Sequence, residues 1–467
     1  MDLQSRLTGK NLEEFGEIIG EKLPATDEFE IKGRLTGSTE ALPLQKAQGS
    51  ARRGSMRLSL TGTVKDLLTL GGMDLQSRLT GKELAEIGLL FDTELPKLGP
   101  FDISGKLSGS AQAFSLNKLS AKVDKSDFDG LAKFEFLKHP KITLRLDSSV
   151  IDFTALMKSS EQDEQKTADK APKKRRLFTD DPLPFDVLKK MDADIVLTAK
   201  KIQAKDAQFK LGHLTLKLED SDFKIDKFEA TYKQTKISGK LQINYGSPTR
   251  MATNLLVQNF DLGGLLKETG VNDQVQGTVD IATHLKSQGD SVHSLMANLD
   301  GSIGAVMGAG YLVKYLDMLS VDLTDKVFHV WKRPQNADQI KCAVVQFDIE
   351  SGVATSQAFV FNTRAGILSG NGNINLGTEQ INFLLVPTPE HPELGFSTKL
   401  RVSGTIMDAK VSPNHLALLE KAALGLSSLE VGPLGLLAPF VRLGALKEHP
   451  CEIKSIGQMG LQSPSPK

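Results

Sequence analysis

The sequence predicts a mainly β protein built from repeated units. Residues Met1–Ser38 and Met73–Ser110 align at an offset of 72, and 21 of the 38 aligned positions are identical. Within each copy, apolar and polar residues alternate with a period of two, which is typical of a strand with one apolar face and one wet face. A repeat of this length and identity indicates one supersecondary unit that is stacked along an axis.

The unit is predicted to begin with a short helix and to continue as strands. Leu12–Ile19 and Leu84–Phe91 are compatible with a helix, and the Leu-Pro pairs at residues 23–24 and 95–96 end it. Proline stops a helix and favours an extended residue before it. The following strands place these residues on their apolar parity: Phe29, Ile31, Gly33, Leu35, Phe101, Ile103, Gly105 and Leu107.

Strands with the same alternation follow along the chain, for example at residues 56–61, 142–147, 195–199 and 237–243. Ile151–Met157 and Asn254–Gly270 keep the strand-then-helix form, so the unit occurs about four times. Near the C-terminus, the pattern predicts a hairpin with a turn at residues 377–379 and a return strand carrying Ile381, Phe383 and Leu385. A C-terminal helix is predicted at His415–Leu426.

The composition argues against catalysis and against nucleic-acid binding. Lys+Arg and Asp+Glu are both 57, so the chain has no net field that would recruit a nucleic acid. The sequence contains no P-loop, no G-x-S-x-G, no H-E-x-x-H and no C-x-x-C motif, and its eight histidines are scattered. We therefore expect no catalytic residues, no metal site and no cofactor.

The sequence leaves open how the chain is located in the cell and whether its cysteines pair. No segment reaches the roughly 18 consecutive apolar residues of a membrane span. Because Met1 opens a repeat whose twin, Met73, is internal, we expect the chain to be a fragment that lacks its natural N-terminus and any targeting element there. The two cysteines, Cys342 and Cys451, fit either buried free thiols or, in an oxidising compartment, a disulfide that ties down the C-terminal tail.

The alternation is also compatible with two kinds of interior. A β-solenoid fills its inner face with interlocking side chains, whereas a sheet curved into an open trough presents the same apolar parity to a groove. Periodicity alone does not separate these two arrangements.

The C-terminal third carries a recognisable pattern: a Gly-rich strand, a short turn, an apolar return strand ending near proline, and a strand that closes on glycine. Its residues are Gly366–Pro387, Ser397–Thr405, Val411-Ser412-Pro413, the tail segment Gly432–Phe440 and Pro450-Cys451, and the repeats add the apolar-Asp-apolar opening at Phe260–Leu265. With these residues the chain strongly resembles the AsmA family of Gram-negative envelope proteins. The resemblance covers nearly the whole chain and is most specific in the C-terminal third.

The resemblance implies a long, curved antiparallel β-sheet with an open apolar groove and short helices between the repeat units. It implies a periplasmic protein held in the inner membrane by an N-terminal helix, which is missing from this sequence, and a role in carrying phospholipids toward the outer membrane. An acyl chain on such a groove stays out of water, which is worth about 0.8 kcal/mol per buried methylene. The predicted groove-lining residues are Phe29, Ile31, Leu35, Phe101, Ile103, Leu107, Ile237, Leu241, Ile243, Ile381, Phe383 and Leu385.

The predicted organisation has five parts. Tandem repeats of the groove occupy residues 1–157, a flexible charged insertion residues 158–182, further repeats residues 183–300, an AsmA-like region residues 301–451, and a disordered tail residues 452–467. The alternative function is a structural or assembly factor with a filled interior, whose exposed strand edges would help outer-membrane proteins insert and would bring it into contact with outer-membrane assembly proteins.

Overall fold

The structure, a computed structural model, describes residues 2–20, 23, 25–36, 42–67, 69–88, 97–136, 139–154, 176–183, 191–204, 207–264, 275–312, 339–364, 366–389 and 399–413. It divides into two compact units. The first comprises Met1–Ala171 and Phe185–Lys233, and the second comprises Pro172–Pro184 and Gln234–Lys467.

The described residues of the first unit form one sheet and two short helices. Its strands are β1 Asp2–Gly9, β2 Glu28–Thr36, β3 Leu44–Arg53, β4 Met56–Asp66, β5 Gly71–Gly81, β6 Phe101–Gly109, β7 Ala113–Val123, β8 Ser126–Glu135, β9 Lys141–Asp152, β10 Asp192–Ala204, β11 Ala207–Glu219 and β12 Asp222–Tyr232. Helix α1 spans Leu12–Ile19 and helix α2 spans Ala85–Gly88.

Each strand of the first unit pairs with its neighbour in sequence, and the pairs are antiparallel apart from β9 and β10, which are parallel. A parallel pair needs a crossover connection of a dozen or more residues. Residues 153–191 supply that length. Within the described ranges β1 pairs with β2 alone, so the sheet does not close on itself there. The predicted fold class, mainly β with an open, curved antiparallel sheet, is confirmed.

The tandem repeat corresponds to four strands and a helix. β1, α1, β2, β3 and β4 form the first copy, and β5, α2, β6, β7 and β8 form the second. The sequence pattern predicts the helix and the later strands of the unit, and β1 and β5 are strands that were not predicted. Their signal was present, because Leu3, Leu7 and Gly9 alternate with Gln4 and Thr8.

Local hydrogen bonds fix the ends of helix α1. The Asn11 side chain accepts from the Glu13 N–H at 3.1 Å, and Gly20 ends the helix in the left-handed conformation with φ of 76°. Both are common terminal signals, since Asn satisfies a free N–H and glycine adopts positive φ without a steric cost. Helix α2 is tied to the turn between β3 and β4, where the Ser55 hydroxyl donates to Glu86 at 2.6 Å.

The second unit is a second antiparallel array. Its strands are β13 Thr235–Asn244, β14 Arg250–Asp261, β15 Val275–Gln276, β16 Thr278–Gln288, β17 Asp300–Met307, β18 Gly310–Leu312, β19 Gln339–Glu350, β20 Val353–Thr363, β21 Gly366–Asn375, β22 Gln380–Pro389, β23 Leu400–Thr405 and β24 Asp408–Pro413. Helix α3, Val292–Ala297, starts with a capping box between Ser291 and Ser294. The predicted hairpin is confirmed, with Ile374 opposite Ile381 in β21 and β22.

The end of the charged insertion belongs to the second unit and contacts the turn before β22. We call residues 176–183 the strap. Its Leu177 and Phe178 N–H groups donate to the Glu379 carboxylate at 3.1 and 3.0 Å. Its Thr179 carbonyl accepts from the His293 N–H at 2.9 Å. The remainder of the insertion up to residue 175, the predicted helix at His415–Leu426, Cys451 and the tail at residues 452–467 lie outside the described residues.

Candidate functional site: an apolar sheet face

A row of apolar residues crosses the first unit from strand to strand. Residues that lie directly opposite each other in a sheet share a face, so the register shows which side chains are neighbours. The central apolar row, from β3 to β12, consists of Ala47, Gly62, Leu75, Leu107, Leu116, Ala132, Leu144, Ile195, Leu216 and Ile225. It contains no polar or charged side chain. Its nine steps of about 4.8 Å give a length of roughly 43 Å.

A second row runs beside it on the same face. It starts on β2 and consists of Leu35, Leu44, Val64, Met73, Gly109, Phe114, Phe134, Ile142, Ala193, Leu218 and Phe223. The Phe114 and Phe134 rings contact each other with centroids 5.1 Å apart. The two rows together make a continuous apolar strip across the first unit.

The side chains of the strip pack against those of adjacent strands in the same sheet. Leu44, Ala47, Val64 and Leu75 form a buried cluster that comes from adjacent strands β3, β4 and β5. Ile31, Leu35 and Leu107 pack against that cluster and are only half-buried. Further along the central apolar row, Leu116, Leu144 and Leu216 are half-buried as well. Lateral packing of this kind leaves part of the surface of these half-buried side chains accessible.

The opposite face of the first unit carries paired charges. The Arg78 guanidinium donates to both carboxylate oxygens of Asp102, at 2.9 and 2.5 Å, and these bonds lower the pKa of that carboxyl below its ordinary value. Hydrogen bonds from Lys32 and Arg6 likewise lower the pKa of Glu30. Such exposed pairs contribute little to stability, because water and salt screen them. They keep the two faces chemically distinct.

Glycines let aromatic rings lie flat over the apolar face. Phe29 is 7% exposed and sits against Gly9, and Phe101 is 4% exposed and sits against Gly81. A Cβ added at either glycine would lie 2.5 Å from the ring, which is closer than real contacts allow. The two pairs occupy equivalent positions of the tandem repeat, 72 residues apart.

The second unit has its own apolar rows. One row joins Ile237, Val257, Ile281, Ala305, Val345 and Phe359, on β13, β14, β16, β17, β19 and β20. Beyond it, the Phe359 ring meets Phe361 at 5.2 Å and Phe383 at 5.1 Å between centroids. Gly370 lies beneath Phe359 and Phe383 and leaves room for both rings.

All twelve predicted groove-lining residues lie on strands. Six belong to the first unit, where Phe29, Ile31 and Leu35 are on β2 and Phe101, Ile103 and Leu107 are on β6. The other six are in the second unit: Ile237, Leu241 and Ile243 on β13, and Ile381, Phe383 and Leu385 on β22. That they line a lipid groove stays a prediction.

The pairing of the two cysteines also stays a prediction. Cys342 lies in β19 and is 8% exposed, whereas Cys451 lies outside the described residues. Among the described residues, no group of three or more His, Cys, Asp or Glu side chains could hold a metal ion. No helix among those residues is long and apolar enough to cross a membrane.

Comparison with known proteins gives the family. The profile of the AsmA family matches residues 4–359, which is most of the chain. The chain belongs to the AsmA family. It is 21% identical over 448 residues to the AsmA family protein YhjG of Escherichia coli (strain K12). That alignment covers 91% of this chain and 65% of the relative, so the chain spans about two thirds of the relative's length. No solved structure matches the chain.

Membership in the AsmA family places the chain in a family of bacterial envelope proteins. The matched region ends at residue 359, before the Gly366–Pro387 hairpin in which the sequence resemblance is most specific. The matched region, residues 4–359, covers nearly all of both copies of the tandem repeat and the whole central apolar row. The AsmA assignment therefore rests on the part of the chain that carries this row.

Proposed function

We propose that this AsmA family chain conducts phospholipids between the inner and outer membranes, working in the periplasm in association with the inner membrane. The observation that carries the proposal is the central apolar row, which crosses β3 to β12 without a polar or charged side chain. An acyl chain lying along the row would keep its methylenes out of water at about 0.8 kcal/mol each.

The half-buried leucines of the row support a lipid rather than a filled core. Side chains in a two-layer core lose nearly all of their exposure, because a second layer covers them. Leu107, Leu116 and Leu144 keep part of theirs. A lipid tail could cover that remaining surface without displacing another element. The lipid headgroup could stay in solvent, so a conduit of this kind needs no specific polar site.

The experiment compares two single variants of β6 that change the net charge by the same amount. Leu107→Glu puts a carboxylate in the central apolar row, and Lys106→Gln removes a charge from the opposite face, where Lys106 pairs with Asp74 at 2.9 Å. The full chain is purified from a Gram-negative host, and the phospholipids bound per chain are counted by native mass spectrometry and by organic extraction.

We expect bound phospholipid on the unmodified chain and on Lys106→Gln, and a clear loss on Leu107→Glu. Circular dichroism of both variants checks that the sheet is intact. A folded, lipid-free unmodified chain would contradict the conduit and favour the assembly factor with a filled interior. Equal lipid counts for the two variants would show that the central apolar row does not bind the phospholipid.

A further inference from the structure

The second unit carries apolar side chains on both faces of its sheet between β17 and β22. Val345 belongs to the apolar row that contains Ala305 and Phe359, whereas its neighbour Val344 has the opposite parity and lies on the other face. The register places further apolar residues beside Val344 on that face. We call this set the back patch, and it consists of Val306, Cys342, Val344, Val360, Ile367, Leu384 and Val386.

The same face is polar on the preceding strands of the second unit. On β13, β14 and β16 it carries the exposed side chains of Lys240, Asn254, His284 and Lys286. A contiguous apolar patch on an otherwise polar face is typical of a surface that another apolar element covers.

The burial of Val344 requires such a cover. Val344 is only 2% exposed. Side chains stand roughly perpendicular to a sheet, and Val306 and Val360 on the two adjacent strands are of the same height, so they cannot cover its top. Helix α3 does not cover it either, because Met296 packs with Ile349 on the other face of β19.

We propose that residues 414–451 dock on the back patch and are held there by a disulfide between Cys342 and Cys451. Cys342 is 8% exposed and lies beside Val344 on the patch, and Cys451 is the one other cysteine of the chain. The segment also brings apolar surface to the patch, since the Gly-, Pro- and Leu-rich run 432–446 comes just before Cys451. Burying that run against the valines of the patch removes apolar surface from water.

The position at which β24 ends permits this docking. Pro413 lies opposite Leu400, and Leu400 lies opposite Leu385, which is adjacent in sequence to Val386 of the back patch. The chain therefore leaves β24 at the level of the patch. The five strand spacings from β24 to β19 amount to roughly 24 Å. Residues 414–450 can span several times that distance when extended.

The disulfide forms by oxidation of two thiols. Cys342 and Cys451 lose two protons and two electrons, a bond forms between their Sγ atoms, and the electrons reduce the disulfide of a thiol–disulfide exchange protein. Such oxidants act in the bacterial periplasm, so this step relies on the proposed periplasmic location. The docked segment lies on the opposite face from the apolar rows, so it does not compete with a lipid bound there.

The test uses the full chain, exported to the periplasm of a Gram-negative host, with free thiols alkylated before digestion. Digestion with trypsin without reduction should yield peptide 342–364 joined to peptide 448–454, and reduction should separate them in the mass spectrum. Limited digestion of the native chain tests docking. We expect cleavage after Arg442 to be several-fold faster in Cys451→Ser, while cleavage after Lys399, at the start of β23, keeps its rate.

Cys342→Ser is the partner variant, and it should accelerate cleavage after Arg442 as much as Cys451→Ser does, since either change removes the same bond. Circular dichroism checks that both variants keep the sheet. Alkylated cysteines in the unreduced chain, a disulfide between two chains, or an unchanged rate of cleavage after Arg442 in both variants would each overturn the proposal. None of these readouts depends on bound lipid, so they are independent of the test of the lipid conduit.

Discussion

At the scale of single residues, glycines determine how closely rings and strands approach on the apolar face. Gly81 faces the Phe101 ring, and Gly9 faces the Phe29 ring in the equivalent place of the first repeat. The alternation in the sequence was enough to put both phenylalanines on the apolar parity of a strand. It could not pair them with their glycines, because the two partners lie on different strands and meet only through the register.

We expect Gly81→Ala to destabilise the chain by about 1–3 kcal/mol, as overpacking does in close-packed interiors. The added Cβ would lie 2.5 Å from Phe101 Cε1 and 3.3 Å from Met56 Cγ. The ring has little room to move away, because Phe101 is only 4% exposed. Urea unfolding followed by circular dichroism measures the change in the free energy of unfolding.

Gly49→Ala is the matched control for that measurement. Gly49 lies on the apolar face of β3, opposite Leu60, and an added Cβ would have its nearest neighbours at 3.5 and 3.7 Å. We expect no loss of stability, or a gain of up to about 1 kcal/mol from the less flexible unfolded chain. Similar losses for both substitutions would show that helix or strand propensity, rather than the ring contact, sets the cost.

At the scale of elements, the sequence could not predict whether two neighbouring strands run parallel or antiparallel. A period of two assigns each residue to a face, but it is the same for parallel and antiparallel neighbours. β9 and β10 are parallel, and the 39 residues between them, 153–191, give the length that a parallel connection requires. β1 and β5 were missed for another reason: their alternation is short and contains Ser5 and Ser77 on the apolar parity.

We expect Glu379→Gln to loosen the strap from the rest of the second unit. The Glu379 carboxylate accepts the N–H groups of Leu177 and Phe178, and the Phe178 N–H is the main cause of its lowered pKa, so it is charged at neutral pH. An amide is a weaker acceptor than a carboxylate. Trypsin should therefore cleave the Arg176–Leu177 bond several-fold faster in the variant, as measured by mass spectrometry during limited digestion.

Glu350→Gln is the matched control for the cleavage rate of Glu379→Gln. Glu350 is an exposed carboxylate at the end of β19 in the same unit, and its substitution removes the same charge. Cleavage after Arg176 should keep the rate of the unmodified chain. An equal increase in both variants would point to a general effect of charge, and no increase in Glu379→Gln would mean that other contacts hold the strap.

At the scale of the whole molecule, the candidate site is a property of many strands at once. The sequence predicted its residue types and their parity, since Leu35 and Leu107 were both expected on an apolar face. The rows themselves depend on register, which bulges such as that between Ser104 and Lys106 shift by a residue. An open and a filled interior need the same alternation, so only the partial burial of residues such as Leu116 favours the open one.

Lipid retention by the full chain should be insensitive to salt. Apolar contact has no charge to screen, whereas charge pairs weaken as the Debye length falls from about 10 Å at 0.1 M to about 3 Å at 1 M ionic strength. We therefore expect the same phospholipid count by native mass spectrometry after exchange from a wash at about 0.1 M salt and from one at about 1 M. Loss of lipid in the second wash would indicate that headgroup charges hold it.

The tandem repeat also relates the length of the chain to the width of the sheet. Each copy contributes four strands, β1–β4 and then β5–β8, so one duplication of 72 residues widens the sheet by roughly 19 Å. The junction between copies, β4 against β5, is an ordinary antiparallel pair that needs no adapter. The width of the sheet therefore grows with chain length in fixed increments of one copy. A wider or narrower sheet could be made by gaining or losing whole copies while every contact within a copy is kept.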